Sequence, residues 1–533
     1  MNSYTSTTTK TPPFSAKLSE NILVLQALFQ DCDDIIQNPF SFSLEHTCRQ
    51  AYLIYVDGLT DNVMIQEHVI QPLMEQGGHT ISSPIPNDNN PTDQNRVSSS
   101  SKSDLTNNSS IPSMLRSMIE MVDLTEETCF DTMLTRILSG DTALLVDGYA
   151  GVILIASKKL PLRGIEEAKM ESVMRGPRDS FNESLRAGTA LIRRRIKDTR
   201  LKIIQNTIGE RTRTDYALIY MEDLAKQKLI DQIRQELSVY DIDAIFDSGM
   251  LEQFMHKKWY SPFPTIQSTE RPDKVASALL EGRVALMVDN SPEVMLFPAT
   301  FHTFLQASDD YYNQWTVASF ARILRYLASI LAIGLPGFYI AITSYHIEML
   351  PTRLLLAIAQ ARSLVTFPVI TEVLVMELLF ELLREAGIRL PGPLGNTIGI
   401  VGGLIVGQAA VEAELVSTIV VIVVALTALA SYTIPNESFA SAYRLLKFFL
   451  IFTSAVWGLY GFTLGMMMIA IHLSGLISFG IPYMVPFVSA LHGQQENKKD
   501  YILRLPLYTM YRRPLYTRAE HRIRIRKGTH YEP

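Results

Sequence analysis

Hydrophobic positions follow two different patterns along the chain. Up to about residue 312, short apolar runs alternate with polar turns and with segments of helical period, which predicts an α/β (α+β) region. From Trp315 onward the uncharged apolar runs lengthen to 18–24 residues. Runs of that length are typical of membrane-spanning helices, since about 20 helical residues cross the hydrocarbon core. The pattern predicts a soluble N-terminal region followed by an all-α multi-pass membrane bundle.

The N-terminal region contains an internal repeat. Leu53–Ile65 is similar to Leu218–Ile230, and Met133–Ile155 is similar to Val275–Phe297. The pairs are offset by 165 and 142 residues, and the difference corresponds to most of a longer polar insert at 77–112, which is predicted to be flexible. We predict a duplicated α/β unit in which each copy starts with a strand and a helix and ends with a helix, a glycine cap and a hairpin.

Two features of this repeat invite a functional interpretation. Asp147 and Asp289 occupy equivalent positions beside Gly or Asn between apolar runs. That setting favours a turn residue, with catalysis or metal binding as the alternative. Between the copies, a basic stretch at 174–203 favours a solvent-exposed helix face, with contact to anionic lipid or an acidic partner as the alternative.

The patterns divide the chain into regions. In chain order they are a polar extension at 1–15, a first α/β unit at 16–172, a second α/β unit with a basic linker helix at 173–312, a transmembrane region at 313–492 and a basic tail at 493–533.

Four uncharged runs are the predicted spans. They are Leu327–Tyr345, Leu394–Val411, Leu415–Ile434 and Phe448–Ile471. Two further apolar segments are interrupted by acidic residues or by glycine and prolines, Ser363–Leu383 and Leu473–Ser489. We predict the first to be interfacial or buried in an assembly, and the second to be re-entrant or interfacial.

Charge predicts the orientation. The tail from Lys498 to Pro533 carries ten Lys or Arg residues, which favours a cytoplasmic C-terminus. The N-terminal residues lack the pattern of a secretory signal, so we expect that end in the cytoplasm as well. The number of crossings is then even: four with two partial segments, or six.

One predicted span carries glycines at a strict four-residue spacing: Gly395, Gly399, Gly403 and Gly407. This spacing leaves one helix face without side chains, so another helix can approach closely. Gln408 follows directly on the same helix. The face is a candidate for packing within the bundle, for a subunit interface or for a pore.

Three carboxylates are candidate intramembrane polar sites: Glu372, Glu377 and Glu412. Unpaired, they are costly in lipid, so they must face protein or water. Structural pairing of Glu372 or Glu377 with a nearby arginine is the alternative to a functional role.

Composition narrows the function classes. The 533 residues are 47% hydrophobic and 19% charged, with a mean hydropathy of +0.12 and a net charge of −6. No global basic field is available to bind nucleic acid. Nucleotide-binding, zinc-protease and hydrolase motifs are absent from the sequence, and its three cysteines form no metal pattern, so we expect neither an enzyme nor a cofactor.

Four long stretches together resemble one family. They are Gly176–Ile196, Arg271–Pro292, Arg322–Ile342 and Phe367–Ser417. The sequence resembles the A subunit of the GerA-type nutrient germinant receptors of spore-forming bacteria from about Val56 onward.

The resemblance implies a multi-pass protein of the spore inner membrane, with its N-terminal domain and tail in the spore core. Its implied partners are a permease-like B subunit, which binds the germinant, a lipoprotein C subunit and further copies of itself around an ion pathway. The alternative function is a secondary transporter that uses the intramembrane carboxylates. The membrane half shows no internal duplication, which disfavours that alternative.

Overall fold

We describe the protein from a computed structural model. It covers residues 13–44, 47–75, 110–119, 121, 123–159, 171, 175–239, 241–256, 258–389, 393–488, 500–514 and 516–524. For residues 110, 388, 393–401 and 404 only the backbone is described. Most of the predicted insert and of the N-terminal extension lies outside these ranges.

The elements follow in chain order. The helices are α1 Leu18–Leu28, α2 Asn62–Ile65, α3 Gln71–Glu75, α4 Ser110–Met118, α5 Phe130–Ile137, α6 Leu185–Arg195, α7 Gln227–Ser238, α8 Ser248–Met255, α9 Pro272–Leu280, α10 Asp309–Tyr312, α11 Trp315–Tyr345, α12 Thr352–Ala361, α13 Val369–Arg389, α14 Pro393–Glu412, α15 Thr418–Tyr432 and α16 Glu437–Ser474. The strands are β1 Ile35–Leu44, β2 Thr47–Val56, β3 Leu124–Glu127, β4 Thr142–Val146, β5 Val152–Ile155, β6 Leu201–Ile208, β7 Thr214–Met221, β8 Gln267–Thr269, β9 Val284–Val288, β10 Val294–Phe297, β11 Ile477–Ser478 and β12 Ile481–Pro482.

Two five-stranded antiparallel sheets have the same topology. Their strand orders are β1-β2-β4-β5-β3 and β6-β7-β9-β10-β8, which confirms the predicted duplication. Alternate residues of each central strand enter different cores: Ile54 packs with α1 and α5, whereas Leu53 packs with α4. The predicted hairpins form between β4 and β5 and between β9 and β10.

The predicted start of each copy is wrong. Each unit begins with a helix, α1 or α6, and a strand, β1 or β6, before the predicted strand and helix. The basic stretch is therefore no linker: it forms the first helix of the second unit. Arg193 is fully buried, and its Nε and Nη2 donate to Asp34 of the first unit at 2.8 and 2.7 Å. Arg194, Lys197 and Arg200 are exposed, as expected for a solvent-exposed face, whereas Arg193 is buried because it pairs with a carboxylate of the first unit.

The helical region contains a hairpin that the sequence analysis missed. Phe439 and His472, at opposite ends of α16, both lie about 6 Å from the Phe263 ring. A continuous helix would separate them by about 50 Å. The chain instead turns at Gly458, with φ 61° and ψ −137°, so Phe448–Ile471 is two antiparallel arms and not one span.

The remaining helices pack around this hairpin and α11. Glu372 near the start of α13 accepts from the Ser417 N–H at the start of α15, at 2.8 Å. Arg384 near the end of α13 contacts both Glu437 and Tyr432. These contacts show that α13 and α15 run parallel, with α14 between them in the chain. Helix α13, predicted to be interfacial or buried, packs one face against this bundle through Val373 and Met376, whereas Leu378 on its other face is exposed.

Candidate functional site

The predicted carboxylates lie in different surroundings. Glu372 is buried and receives the Arg362 Nε at 3.2 Å as well as the Ser417 N–H. Glu377 is buried and bonded to Lys447. Both are thus paired with cations of the same chain, so a structural role accounts for them.

Gln408 and Glu412 are exposed on α14, and the Gln408 amide donates to the Glu412 carboxylate at 3.0 Å. A Cβ at Gly407 would lie 3.6 Å from Val421, whereas a Cβ at Gly403 would meet nothing within 4 Å. The surroundings of Gly395 and Gly399 lie outside the described side chains. Within the chain, the described part of this face is therefore only partly used for packing.

The densest charge cluster lies where the second α/β unit meets α11. Arg322 is fully buried, with its Nε 3.1 Å from Asp310 and its Nη1 2.8 Å from Asp500 of the tail. Arg325 also bonds to Asp310. Opposite charges pair here, which offsets much of the cost of burial, although the Arg322 Nη2 has no hydrogen-bond partner among the described residues. The cluster ties α10, α11 and the tail together.

The tail is folded against the second unit and does not behave only as a topology signal. Thr517 donates to the Glu281 carbonyl at 2.5 Å, and the Arg518 N–H donates to Leu224 at 2.9 Å. Asp500, Thr517 and their neighbours thus connect α11 to the end of α9.

A cavity of about 170 Å³ lies between the second unit, α10 and the tail. Arg283 in its wall is 4% exposed, and its guanidinium donates to the Gln267 side chain at 2.8 Å. Its Nε has no hydrogen-bond partner in the part of the chain that the structure describes. Burial lowers the pKa of Arg283 and raises that of the neighbouring Glu281 carboxyl.

His302 lines the same cavity and is buried. Its Nδ1 lies 3.2 Å from the Val485 carbonyl and 3.0 Å from the Thr300 hydroxyl. Because a carbonyl only accepts, Nδ1 carries the proton that is donated to Val485. Burial lowers the pKa of His302 to about 3, so the ring is neutral near pH 7.

Sequence reasoning missed this cavity because its walls come from three distant segments. One signal was available: the tail carries tyrosines at 501, 508, 511 and 516 between its arginines, which is unusual for a solvated tail. Asp147 and Asp289 are turn residues, as predicted. Each also accepts a helix N–H, from Leu18 at 3.1 Å and from Leu185 at 3.0 Å. No cluster of metal-ligating side chains occurs among the described residues.

Two helical elements of the described chain, α11 and the α16 hairpin, contain stretches that are apolar enough to lie in a membrane. The fold therefore defines a class of protein in which a duplicated α/β region is joined to an apolar helical bundle. The chain belongs to the GerA family, described as Bacillus/Clostridium GerA spore germination protein, and matches it over residues 24–516.

Relatives match along most of their length. The chain is 39% identical to the uncharacterized membrane protein YfkQ of Bacillus subtilis, over 94% of this chain and 91% of the relative. It is 36% identical to spore germination protein KA of the same organism (97% and 90%) and 36% identical to spore germination protein B1 (96% and 99%). The crystal structure of the N-terminal domain of the A subunit of the Bacillus megaterium spore germinant receptor GerK3 is 28% identical. It aligns with 54% of this chain and 98% of that domain, with a TM-score of 0.40.

Proposed function

We propose that this protein is the A subunit of a nutrient germinant receptor in the spore inner membrane. It couples germinant sensing by its partners to ion release. The observation that carries the proposal is the match to the spore germination family over residues 24–516. The proposed partners are a permease-like B subunit, a lipoprotein C subunit and further copies of this chain.

Exposed aromatic residues support the membrane placement. Trp259 and Tyr260 are 88% and 59% exposed, and the neighbouring Lys258 donates to Gly475 at the end of α16. Trp457, at the turn of the hairpin, is 57% exposed. Aromatic side chains favour membrane–water interfaces. The first arm of α16, 437–457, is about 31 Å long. This length matches the thickness of the hydrocarbon core, with Trp259 and Tyr260 at one interface and Trp457 at the other.

On this placement the chain crosses the membrane six times, through α11, α13, α14, α15 and the two arms of α16. The soluble region and the tail then lie on the same side, which is the cytoplasmic side for a basic tail. The contacts between the tail and the second unit agree with this arrangement.

The channel role is supported by α14. Gln408 and Glu412 are exposed polar residues on a largely apolar helix, and they bond only to each other among the described side chains. Such groups avoid lipid. An oligomer that encloses a water-filled path along α14 gives them a suitable environment, and the open position at Gly403 leaves room for a neighbouring subunit.

Spores that lack this chain test the receptor role. We expect at least one nutrient to stop triggering cation release, and to regain its effect when the chain is supplied again. If every nutrient response persists at the wild-type rate without the chain, the receptor proposal is wrong.

Reconstituted receptor tests the channel role. We expect nutrient-triggered cation flux in vesicles with all subunits, and none when this chain is omitted. We expect Glu412→Gln to reduce the flux. The control Glu348→Gln changes an exposed carboxylate in the loop after α11 and should leave the flux unchanged. Equal flux from partner subunits alone contradicts the channel role but leaves the receptor role intact.

A further inference from the structure

The cavity between the second unit, α10 and the tail, called the junction cavity below, has in its wall a buried cation that forms no salt bridge with a described residue. Arg283 is 4% exposed, and its hydrogen-bond acceptors are the Gln267 amide oxygen and, at 3.5 Å, the Leu296 carbonyl. Among the described residues no carboxylate oxygen forms a salt bridge with it. Burial of a guanidinium without a counter-ion is energetically unfavourable. An anion in the cavity would offset that cost.

The tail adds three further cations to the wall. Arg512, Arg513 and Arg524 line the cavity, and no salt bridge within the described ranges involves them. Arg513 donates only to backbone carbonyls, those of Leu280, His521 and Ile523. The wall thus presents four guanidinium groups that no described carboxylate neutralises by direct contact.

The acidic residues of the wall are already engaged. Asp273 accepts from Arg271 and from the Tyr312 hydroxyl, and Asp500 accepts from Arg322 and the Tyr311 hydroxyl. Glu281, directly after the end of α9, accepts from the Tyr516 hydroxyl at 3.0 Å, and burial raises the pKa of its carboxyl. The local charge therefore favours a negative ligand.

Size and polarity restrict that ligand. About 170 Å³ is close to the ~150 Å³ apolar cavity that holds a benzene molecule, and is too small for a nucleotide. Tyr311, Tyr312 and Met510 give the wall a largely apolar character. A ring-sized molecule with one anionic group fits both properties better than inorganic phosphate.

We propose that this cavity binds a small organic carboxylate, whose anionic group lies against Arg283 and the tail arginines and whose apolar body lies against the tyrosines. Because the walls belong to the second unit and to the tail, the bound ligand holds the tail in place beside the Arg322 cluster. The proposal does not depend on the germinant-receptor function.

The test uses the full chain in lipid nanodiscs, with benzoate, neutral benzamide and inorganic phosphate as probes in calorimetry and thermal unfolding. We expect benzoate to bind and to raise the unfolding temperature, and benzamide to bind at least tenfold more weakly. Benzoate should also slow proteolysis of the tail. No benzoate binding, equal binding of benzamide, or binding of phosphate alone overturns the proposal.

Two variants locate the site. Arg524→Met changes an exposed wall residue and should weaken benzoate binding at least threefold without affecting folding. Arg283→Met should weaken it at least tenfold. Arg211→Met is the matched control, because Arg211 is 82% exposed and pairs with Asp243 in a different part of the second unit. Unchanged benzoate affinity in both wall variants overturns the proposed location.

Discussion

Asp147 and Asp289 perform the same task in the two units. Each ends a central strand and accepts the first N–H of a helix that begins 129 or 104 residues earlier in the chain. The carboxylate satisfies a donor that has no partner inside the helix and interacts favourably with the helix dipole. These residues therefore join the closing hairpin of each unit to its opening helix.

Replacing Asp289 tests this role. Asp289→Ala should lower the free energy of unfolding of the soluble region by about 1 kcal/mol, because the N–H of Leu185 loses its acceptor. Asp289→Asn keeps a side-chain oxygen at the same position, so its loss in free energy of unfolding should be less than half of the loss in Asp289→Ala. Denaturant unfolding followed by circular dichroism measures both variants. Equal losses in the two would show that the acceptor is unimportant.

His302 should make the fold sensitive to acid. Its pKa falls from an ordinary 6.5 to about 3 in the folded protein, so its contribution to stability is complete above pH 6.5 and is lost as the pH falls towards 3. Between pH 7 and pH 5 this loss amounts to about 2 kcal/mol.

Guanidinium unfolding at the two pH values, in detergent, measures the effect. The His302→Gln side chain does not titrate, so the drop in free energy of unfolding between pH 7 and pH 5 should be about 2 kcal/mol smaller than in the wild type. His521→Gln, which changes an exposed histidine of the tail, should keep all of it. An identical response to pH in the wild type and in His302→Gln would exclude His302 as the cause.

At the scale of elements, the turn in α16 depends on glycine. Gly458 adopts a positive φ, and a Cβ on Gly461 would lie 2.0 Å from the Thr453 carbonyl oxygen of the other arm. Contact this close leaves no room for any side chain. The two arms therefore pack backbone against backbone near the turn.

Gly461→Ala and Gly403→Ala form a matched pair. Both changes raise intrinsic helix propensity, which by itself favours stability. Gly461→Ala should nevertheless lower the unfolding temperature by several degrees, because overpacking costs about 1–3 kcal/mol. Gly403→Ala should leave it unchanged or raise it, since a Cβ there meets nothing within 4 Å.

The same reasoning sharpens the role of the glycine face. Gly403→Leu leaves the monomer fold intact, so a change in oligomer size on native electrophoresis would report contact with another subunit. Normal oligomer size and normal germination in that variant would make the face incidental.

At the scale of the whole molecule, the proposed arrangement with six membrane crossings has a direct test. Cys48 and Cys129 are exposed in the first unit, and Cys32 is buried. A membrane-impermeant maleimide should label the two exposed cysteines from the cytoplasmic face alone. In a variant without them, Trp457→Cys should be labelled from the opposite face and Tyr508→Cys from the cytoplasmic face. Labelling of Trp457→Cys from the cytoplasmic face would exclude a crossing by the first arm of α16.

Local signals predicted local structure well. The repeats predicted two units of one topology because glycine caps and turn residues such as Gly140 and Asp147 act within a few residues. They did not predict α1 and α6 as the first elements, since these helices lack equivalent sequence signals. The apolar run Phe448–Ile471 also did not predict the turn at Gly458, because single glycines are common in membrane helices and do not by themselves indicate a turn.

The sequence did not predict which distant segments contact one another. The basic character of Arg193 predicted exposure, yet its partner Asp34 lies 159 residues away and buries it. The carboxylates Glu372 and Glu377 were correctly weighed against structural pairing, although Lys447 was not among the expected partners. The walls of the junction cavity come from α9, α10 and the tail. Hydrophobic periodicity predicts single elements and does not predict that distant elements contact one another.

The docking of the tail has a consequence for biosynthesis. Ribosomes make the second unit long before residues 500–524, so Glu281 and Arg283 remain without the tail contacts until the helical region has been synthesised and the last residues emerge. The cavity closes only when translation is complete. A chain that stops before the tail lacks these contacts and leaves the Glu281 and Arg283 side chains more exposed.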